Sequence, residues 1–384
     1  MKNIYLLGAT GSIGAQTIEI IESHPNEFSL KAISGYKNLD SIKEIASMFS
    51  LDLISVKDAN DASVIQKLYP NTKVVFGETG LVELARFNPL DKEGVLINAL
   101  VGMVGLKPTI ESIKINRDVL LANKETLVVG GHLIKDLLDK HDVHLYPIDS
   151  EHNAIWQVLQ GENNKTIKKL YITASGGSFR DLSREQLNDV TLEQALNHPN
   201  WTMGSKITID SATMMNKGFE IIEAAYLFDM DIKNIIPIIH RESIIHSMVE
   251  YIDNSLSGLL AMPDMRMPIS YAMFYPKRVE SLIKPIDFTK LSKLTFEEVN
   301  YERYPLVKLA IDAYTLGGSA RTVLNAANEA AVDLFLNRKI DFIDIETIVS
   351  NSVNNHIVMP HPSLDEIYEI DREIKTEIYK EYNN

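Results

Sequence analysis

The stretch from His198 to Glu220, HPNWTMGSKITIDSATMMNKGFE, concentrates residues able to do chemistry. It opens on a His-Pro turn and a Trp, then gives a short apolar-alternating run, Lys206-Ile207-Thr208-Ile209. It closes on Asp210, Ser211, Asn216, Lys217 and Glu220. Ser211-Ala212-Thr213 resembles a helix start, where a hydroxyl can cap orphan N–H groups. With a helix beginning there, Asn216 and Glu220 are four apart on one face, with Lys217 beside them. An amide, an ammonium and a carboxylate next to a helix N-terminus suit an anionic, oxygen-rich ligand. A solvated helix face with one Lys217–Glu220 ion pair would show the same pattern.

A second cluster supplies two more carboxylates. Asp149 and Glu151 follow the apolar run that ends at Ile148. On an extended strand end, side chains two apart share one face and could reach one hard cation. With Glu220 they make an all-oxygen set of three carboxylates, which favours Mg²⁺ or Mn²⁺ over zinc. The alternative is local: Asp149 as a helix N-cap, with Glu151 in the first turn. Ala122 leads likewise into Asn123-Lys124-Glu125. Carboxyl ends of parallel strands are where open sheets place ligands, which raises both clusters above ordinary surface charge.

The elements that must position these groups begin at the N-terminus. Asn3 to Leu7 is a short apolar run, followed by Gly8-x-x-Gly11-x-x-Gly14 and the helical pattern Thr17-Ile18-Ile20-Ile21. Strand, glycine turn and helix form the context of a dinucleotide fingerprint, although the spacing is not the strict G-x-G-x-x-G. A tight βα turn is the plainer reading. The second apolar run, 28–34, leads into Gly35-Tyr36-Lys37-Asn38 with no acid before Asp40. A cation there suits a ribose 2′-phosphate and favours NADP over NAD. Ser175-Gly176-Gly177-Ser178, after the apolar run ending at Ala174, can present N–H groups to a phosphate or form only a turn.

Alternating strand and helix patterns run to about residue 148 and predict a mostly parallel sheet. Runs at 235–239 and 244–252 predict strands of a second sheet. Residues 291–304 read as a linker arm. From Pro305 onward, apolar stripes predict a small bundle of four helices. The expected class is α/β: an N-terminal Rossmann-like parallel sheet, a central α/β catalytic domain and a C-terminal helical bundle. The expected boundaries are 1–149, 150–275, a linker arm at 276–304, and 305–384.

The chain has 384 residues, enough for two or three domains. Formal net charge is −14, from 38 Lys+Arg against 52 Asp+Glu, which argues against a nucleic-acid partner. There is no Cys, so disulfides, thiolate catalysis and Cys-ligated zinc are excluded. Neither a signal-type leader nor a run long enough for a membrane span is seen. The expectation is a soluble cytoplasmic protein.

Longer strings carry a resemblance. GATGSIG (8–14), LANKE (121–125), DSEH (149–152), ASGGSF (174–179), the whole of 198–220 and MPDMR (262–266) stand in the order found in 1-deoxy-D-xylulose 5-phosphate reductoisomerases. The chain resembles that family from end to end. The resemblance implies that Thr10, Gly11, Ser12 and Ile13 line the NADPH pyrophosphate. Gly35, Lys37 and Asn38 would meet the 2′-phosphate end, and Asn123, Glu125 and Gly204 would also touch the cofactor. Lys124, Ser150, Glu151, Ser175, His198, Ser211, Asn216, Lys217 and Glu220 would hold a sugar phosphate. Asp149, Glu151 and Glu220 would bind Mg²⁺, Mn²⁺ or Co²⁺, and with Lys124 would be catalytic. Trp201 and Met203 would sit on a closing lid. Tyr36 is a local departure, standing where many relatives have a small residue.

The implied activity rearranges 1-deoxy-D-xylulose 5-phosphate, by retroaldol cleavage and re-addition, and reduces it with NADPH to 2-C-methyl-D-erythritol 4-phosphate. A homodimer is implied. Two alternatives stand beside it: an NADP-dependent sugar-phosphate dehydrogenase without rearrangement, and a non-catalytic NADP-sensing protein. The carboxylate set argues against the sensor, because a binding module has no need of a Lewis acid.

Overall fold

The structure is a computed structural model and describes residues 1–36 and 38–382. Lys37, expected at the 2′-phosphate, lies outside the described residues. The chain forms two compact units. The first comprises Met1–Thr126, Ile134–Asn153 and Asp264–Ile283; the second comprises Leu127–Leu133, Ala154–Pro263 and the residues from Lys284 onward.

The first unit is built on a seven-stranded sheet. Its strands are β1 (Lys2–Leu7), β2 (Phe28–Ser34), β3 (Leu53–Val56), β4 (Lys73–Phe76), β5 (Gly94–Asn98), β6 (Asp118–Leu121) and β7 (Leu145–Pro147). The order is β4-β3-β2-β1-β5-β6-β7, and every neighbouring pair is parallel. The central strands are nearly continuous apolar runs because such a sheet is covered on both faces. Ile4, Leu6, Ile33, Leu53, Ile54, Leu96 and Ile97 are all fully buried. Each such side chain contributes about 1.5–3 kcal/mol of burial free energy. The chain steps outward from β1 to β4, then returns to the other side of β1 at β5. That reversal creates a switch point beside the carboxyl ends of β1 and β5.

Between the strands lie α1 (Ser12–Ser23), α2 (Leu39–Met48), α3 (Ala59–Leu68), α4 (Gly77–Ala85), α5 (Leu106–Lys114) and α6 (Glu125–Leu138). α7 (Ser150–Val158) follows β7.

The second unit contains a five-stranded mixed sheet. β8 (Ile167–Ala174) is parallel to β9 (Ile235–Ile239) and antiparallel to β10 (Ile245–Tyr251). β11 (Leu256–Leu260) and the short β12 (Glu297–Glu298) form the edges. β12 is the only regular strand within the expected linker arm, among the described residues.

Two short helices, α8 (Leu192–Ala195) and α9 (Ser205–Ala212), precede α10 (Met215–Leu227). α10 buries Ile221, Ala224 and Ala225 in one core with Leu170, Ile172, Ile235 and Val249 of the sheet. α11 (Arg266–Phe274) belongs to the first unit, where Arg266 pairs with Glu19 of α1 at 2.8 Å. The C-terminal helices are α12 (Pro305–Leu316), α13 (Ala320–Leu336), α14 (Phe342–Asn355) and α15 (Leu364–Tyr382), as the four stripes predict. α13 is buried almost all round, and its alanines let neighbouring helices approach closely.

Two local expectations change. Lys206 to Ile209 belongs to α9, a helix that runs from Ser205 rather than starting at Ser211. Four alternating residues are too few to separate the two periods, and Thr208, Ile209 and Asp210 are buried in succession, as no half-buried strand would have them. The next helix begins only at Met215, after Met214 takes a left-handed conformation. Asp149 and Glu151 do not lie on an extended strand end. β7 stops at Pro147, and Asn153 N–H bonds the Asp149 carbonyl at 2.8 Å, so Asp149 starts α7 and Glu151 falls in its first turn.

Candidate active site

The glycine turn after β1 has the shape its residues dictate. Gly8 has φ +83°, and a Cβ there would lie 2.5 Å from the Ala99 carbonyl oxygen. A Cβ on Gly14 would lie 2.2 Å from the Gly8 carbonyl oxygen, so the start of α1 can pack directly on the turn. Gly11, the N-cap of α1, supplies no side-chain bond to the first helical N–H groups. Those donors face the carboxyl edge of the sheet and suit a pyrophosphate. Thr10, Ser12 and Ile13 flank them. Ser34 ties the turn to β2, accepting Gly8 N–H on its hydroxyl at 2.9 Å and Ala9 N–H on its carbonyl at 2.8 Å. Asn38 caps α2 through Ser41 N–H at 3.0 Å. Gly35 bonds the Ser55 carbonyl and packs against Thr10 and Ile42.

Asn123 is buried, and its side chain is occupied within the fold. Its amide donates to the Leu100 and Gly102 carbonyls at 2.9 and 2.8 Å, and its oxygen accepts from Thr126. It therefore shapes the 100–102 loop beside β5 and caps α6. Glu125 opens α6 and is buried too.

Lys124 is equally buried and points its ammonium at Asp149, with Nζ 2.6 Å from Oδ2. The Ser150 hydroxyl donates to Glu151 Oε2 at 2.6 Å. The ends of β6 and β7 thus bring Lys124, Asp149, Ser150 and Glu151 together, as adjacent parallel strands must.

In the second unit the loop after β8 and the helices α9 and α10 form a compact polar group. Gly177, at φ +75°, lies so close to α9 that a Cβ would sit 2.3 Å from the Ser211 carbonyl oxygen. This close approach brings the Ser175 loop against the Ser211 end of α9. His198 Nε2 lies 3.0 Å from Ser175 Oγ. Its Nδ1 accepts from Asn200 N–H at 3.2 Å and Trp201 N–H at 3.0 Å. With Nδ1 an acceptor, the ring proton sits on Nε2 and is donated to Ser175. Burial and the nearby Arg180 guanidinium push the His198 pKa down to about 4, so the ring is neutral near pH 7.

On α10, Asn216 and Lys217 both donate to Glu220, through bonds to Oε1 and Oε2 respectively. The four-apart geometry is the expected one, but these donors turn onto the carboxylate of their own helix. Glu220 is 1% exposed, and a buried carboxylate must be paired. Gly204 caps α9 with open space at its Cα, and Trp201 stands edge-on to His246 with ring centroids 6.2 Å apart. Met203 lies in the same irregular stretch before α9.

Sequence reasoning assigned no role to three supports. Arg180 holds the Ser175 and Arg241 carbonyls at 3.1 and 3.2 Å. Asn200 fastens the 198–201 segment to Arg241 and Ser243. Asp210 is buried, with Lys206 Nζ 2.9 Å from Oδ2 and Asn328 Nδ2 donating to Oδ1 at 2.8 Å. Asp210 stood in the densest stretch, but nothing in the spacing linked it to Asn328.

A switch-point glycine turn, carboxylates at strand and helix ends, and a half-buried set of hydroxyl, imidazole and amide groups define a dinucleotide-dependent α/β enzyme. The family profile described as 1-deoxy-D-xylulose 5-phosphate reductoisomerase matches residues 4–131, and two C-terminal domain profiles of that family match 145–228 and 260–377. The chain belongs to the 1-deoxy-D-xylulose 5-phosphate reductoisomerase family. A 1-deoxy-D-xylulose 5-phosphate reductoisomerase from Bacillus cereus is 50% identical over 372 residues, covering 97% of each chain. One from Macrococcus caseolyticus is 48% identical over 380 residues, covering 99% of this chain and 100% of its own. Among solved structures, a DOX-P reductoisomerase in complex with NADPH, fosmidomycin and magnesium superposes with a TM-score of 0.94 at 38% identity, covering 100% of this chain and 98% of the other. The Zymomonas mobilis enzyme in complex with NADPH gives 0.90 at 37% identity, covering 99% of each.

Proposed function

We propose that this chain converts 1-deoxy-D-xylulose 5-phosphate to 2-C-methyl-D-erythritol 4-phosphate with NADPH and a divalent cation. The end-to-end family match carries the reading, since the relatives share nearly the whole chain. Two solved relatives contain NADPH, and one of these also contains magnesium. The residues here suit both groups. The uncapped N–H groups of α1 over a turn that tolerates no Cβ fit a pyrophosphate. Asp149, Glu151 and Glu220 offer only carboxylate oxygens, the donor set for Mg²⁺ or Mn²⁺, with Co²⁺ a further candidate.

When bound, the cation supplies Lewis-acid stabilisation of oxyanion charge, and NADPH supplies a hydride. The chain's own groups do the rest. Thr10 to Ile13 hold the nucleotide, with Gly35, Lys37, Asn38, Asn123, Glu125 and Gly204 completing its seat. The Ser175 and Ser211 hydroxyls offer neutral donors to the substrate phosphate, His198 orients the Ser175 hydroxyl through its Nε2–H, and Asn216 and Lys217 add an amide and an ammonium. Lys124 orients the Asp149 carboxylate and presents an ammonium to a substrate oxygen. Ser150 does the same for Glu151 through its hydroxyl. Trp201 and Met203 close over the substrate and exclude water from the aldehyde stage.

The working species is a homodimer. The exposed apolar side chains of the β11 edge, Leu256 and Leu260, are consistent with a covered surface. Among the described residues no helix is long and apolar enough to cross a membrane.

The test is NADPH oxidation, followed by absorbance, with 1-deoxy-D-xylulose 5-phosphate in the absence of metal and with Mg²⁺, Mn²⁺ or Co²⁺. Metal-dependent oxidation with a branched product by NMR supports the reading. An unbranched product would replace it with simple dehydrogenation. Binding of NADPH with no turnover under any of the three metals would replace it with a sensor.

A further inference from the structure

Tyr36 and Lys57 stand together at an edge of the first unit's sheet. Tyr36 is 61% exposed, and Lys57 Nζ lies 5.5 Å from the centre of its ring. β2 and β3 are parallel neighbours with Ser34 opposite Ser55. The two residues therefore leave adjacent strands at the same carboxyl edge, two positions beyond that register pair. Ser34, two residues before Tyr36, is the residue that bonds the glycine turn at Gly8 and Ala9.

A dinucleotide seated on the turn after β1 runs toward the end of β2, where its adenosine ribose lies. The nearby acids there are engaged elsewhere. Asp58 accepts Asn60 and Asp61 N–H groups at 2.9 and 3.1 Å as the cap of α3, and Asp40 pairs with Lys43 at 2.9 Å. Among the described residues no carboxylate stands at the end of β2 to take a ribose 2′-hydroxyl, because Ser34, Gly35 and Tyr36 occupy those positions.

We propose that Tyr36 and Lys57 form a seat for the 2′-phosphoadenosine end of NADPH, the Tyr36 ring covering one face of the adenine and the Lys57 ammonium meeting the 2′-phosphate. The proposal rests on the NADPH reading above. An exposed ring with a cation at its face is a weak contact in water, and both parts gain from a ligand. A base desolvates and stacks on the ring, and a phosphate supplies the opposite charge for the ammonium. The pair makes Lys57 a specificity residue and Tyr36 an affinity residue, which separates their effects.

The experiment is fluorescence titration of the full chain with NADPH, NADH and 2′,5′-ADP, without substrate. Lys57→Ala should weaken NADPH and 2′,5′-ADP by about tenfold while NADH stays within about twofold of wild type. Tyr36→Ala should weaken all three by about fivefold, and Tyr36→Phe should restore wild-type binding. The Lys57 effect should shrink as salt is raised. Equal losses for NADPH and NADH in Lys57→Ala, or no loss for either, would overturn the 2′-phosphate role. NADH binding unchanged in Tyr36→Ala would overturn the stacking role. A wild-type chain that binds none of the three ligands would remove the NADPH reading itself, and this proposal with it. Wild-type binding with silent variants would remove the proposal alone.

Discussion

His198 and Ser175, separated by 23 positions in sequence, are joined by a 3.0 Å contact between Nε2 and Oγ. The other ring nitrogen faces two backbone N–H groups, so the imidazole is held from both sides in one tautomer. A neutral ring here is a fixed hydrogen-bond donor rather than a titrating base.

The two nitrogens can be tested apart. His198→Gln places an amide nitrogen near the Nε2 position and should keep the Ser175 contact while loosening the 198–201 segment. His198→Asn should keep an acceptor for Asn200 and Trp201 and lose the Ser175 contact. We expect His198→Asn to raise the substrate KM by about tenfold, the worth of one hydrogen bond to a charged group. His198→Gln should chiefly change Trp201 fluorescence. Steady-state kinetics and emission spectra check the pair.

The same residue has a pH signature. Its folded pKa, about 4, lies below the ordinary 6.5. The unfolded chain therefore binds the proton more readily. The contribution of His198 to stability is complete above about pH 6.5 and is lost as pH falls toward 4. Urea midpoints of wild type and His198→Gln should converge across that window. A constant gap between pH 7 and pH 4 would contradict it.

Lys124 Nζ lies 2.6 Å from Asp149 Oδ2, and Lys217 donates to Glu220. Each of these two carboxylates is thus paired with a lysine ammonium. Glu220→Gln should abolish metal-dependent turnover, with a fall of at least about a hundredfold in metal affinity by calorimetry. NADPH binding should be unchanged. Wild-type metal affinity in this variant would remove Glu220 from the ligand set.

Gly177 carries both a positive φ and a close contact. Gly177→Ala should destabilise the chain by about 2–3 kcal/mol, from left-handed strain and a Cβ pressed on the Ser211 carbonyl. It should also raise the substrate KM, because Ser211 must move. Ser178→Ala, which loses only a bond to the Ala195 carbonyl, should cost about 1 kcal/mol. Denaturant melts of the two variants, with KM measured alongside, decide between them.

Asn328→Ala removes the α13 donor to buried Asp210 and should cost about 2 kcal/mol. The loss should be smaller in an Asp210→Asn background, where no charge remains to be compensated. A double-mutant cycle by urea unfolding measures that coupling.

Much of this protein was legible in its sequence because the signals were local. A glycine turn between an apolar run and a helical stripe needs no distant partner, and parallel strands announce themselves as buried apolar runs. The four C-terminal helices declared themselves by period. Asn216, Lys217 and Glu220 share a face through helix geometry alone, and that held even though the helix begins at Met215 rather than Ser211. The three carboxylates and the glycine turn therefore stand out in the sequence itself.

Contacts between residues far apart in sequence required the tertiary structure. No spacing rule joins Asp210 to Asn328 across 118 positions or sets Gly177 against the Ser211 carbonyl. None foretells that Asn123 is consumed in shaping a loop, that Asn216 and Lys217 turn onto Glu220, or that Tyr36 meets Lys57. Side-chain type and local period fix which groups are present and which way an element faces. Which buried polar atoms meet depends on how elements pack, because a donor or acceptor removed from water takes whatever partner the packing brings within about 3 Å.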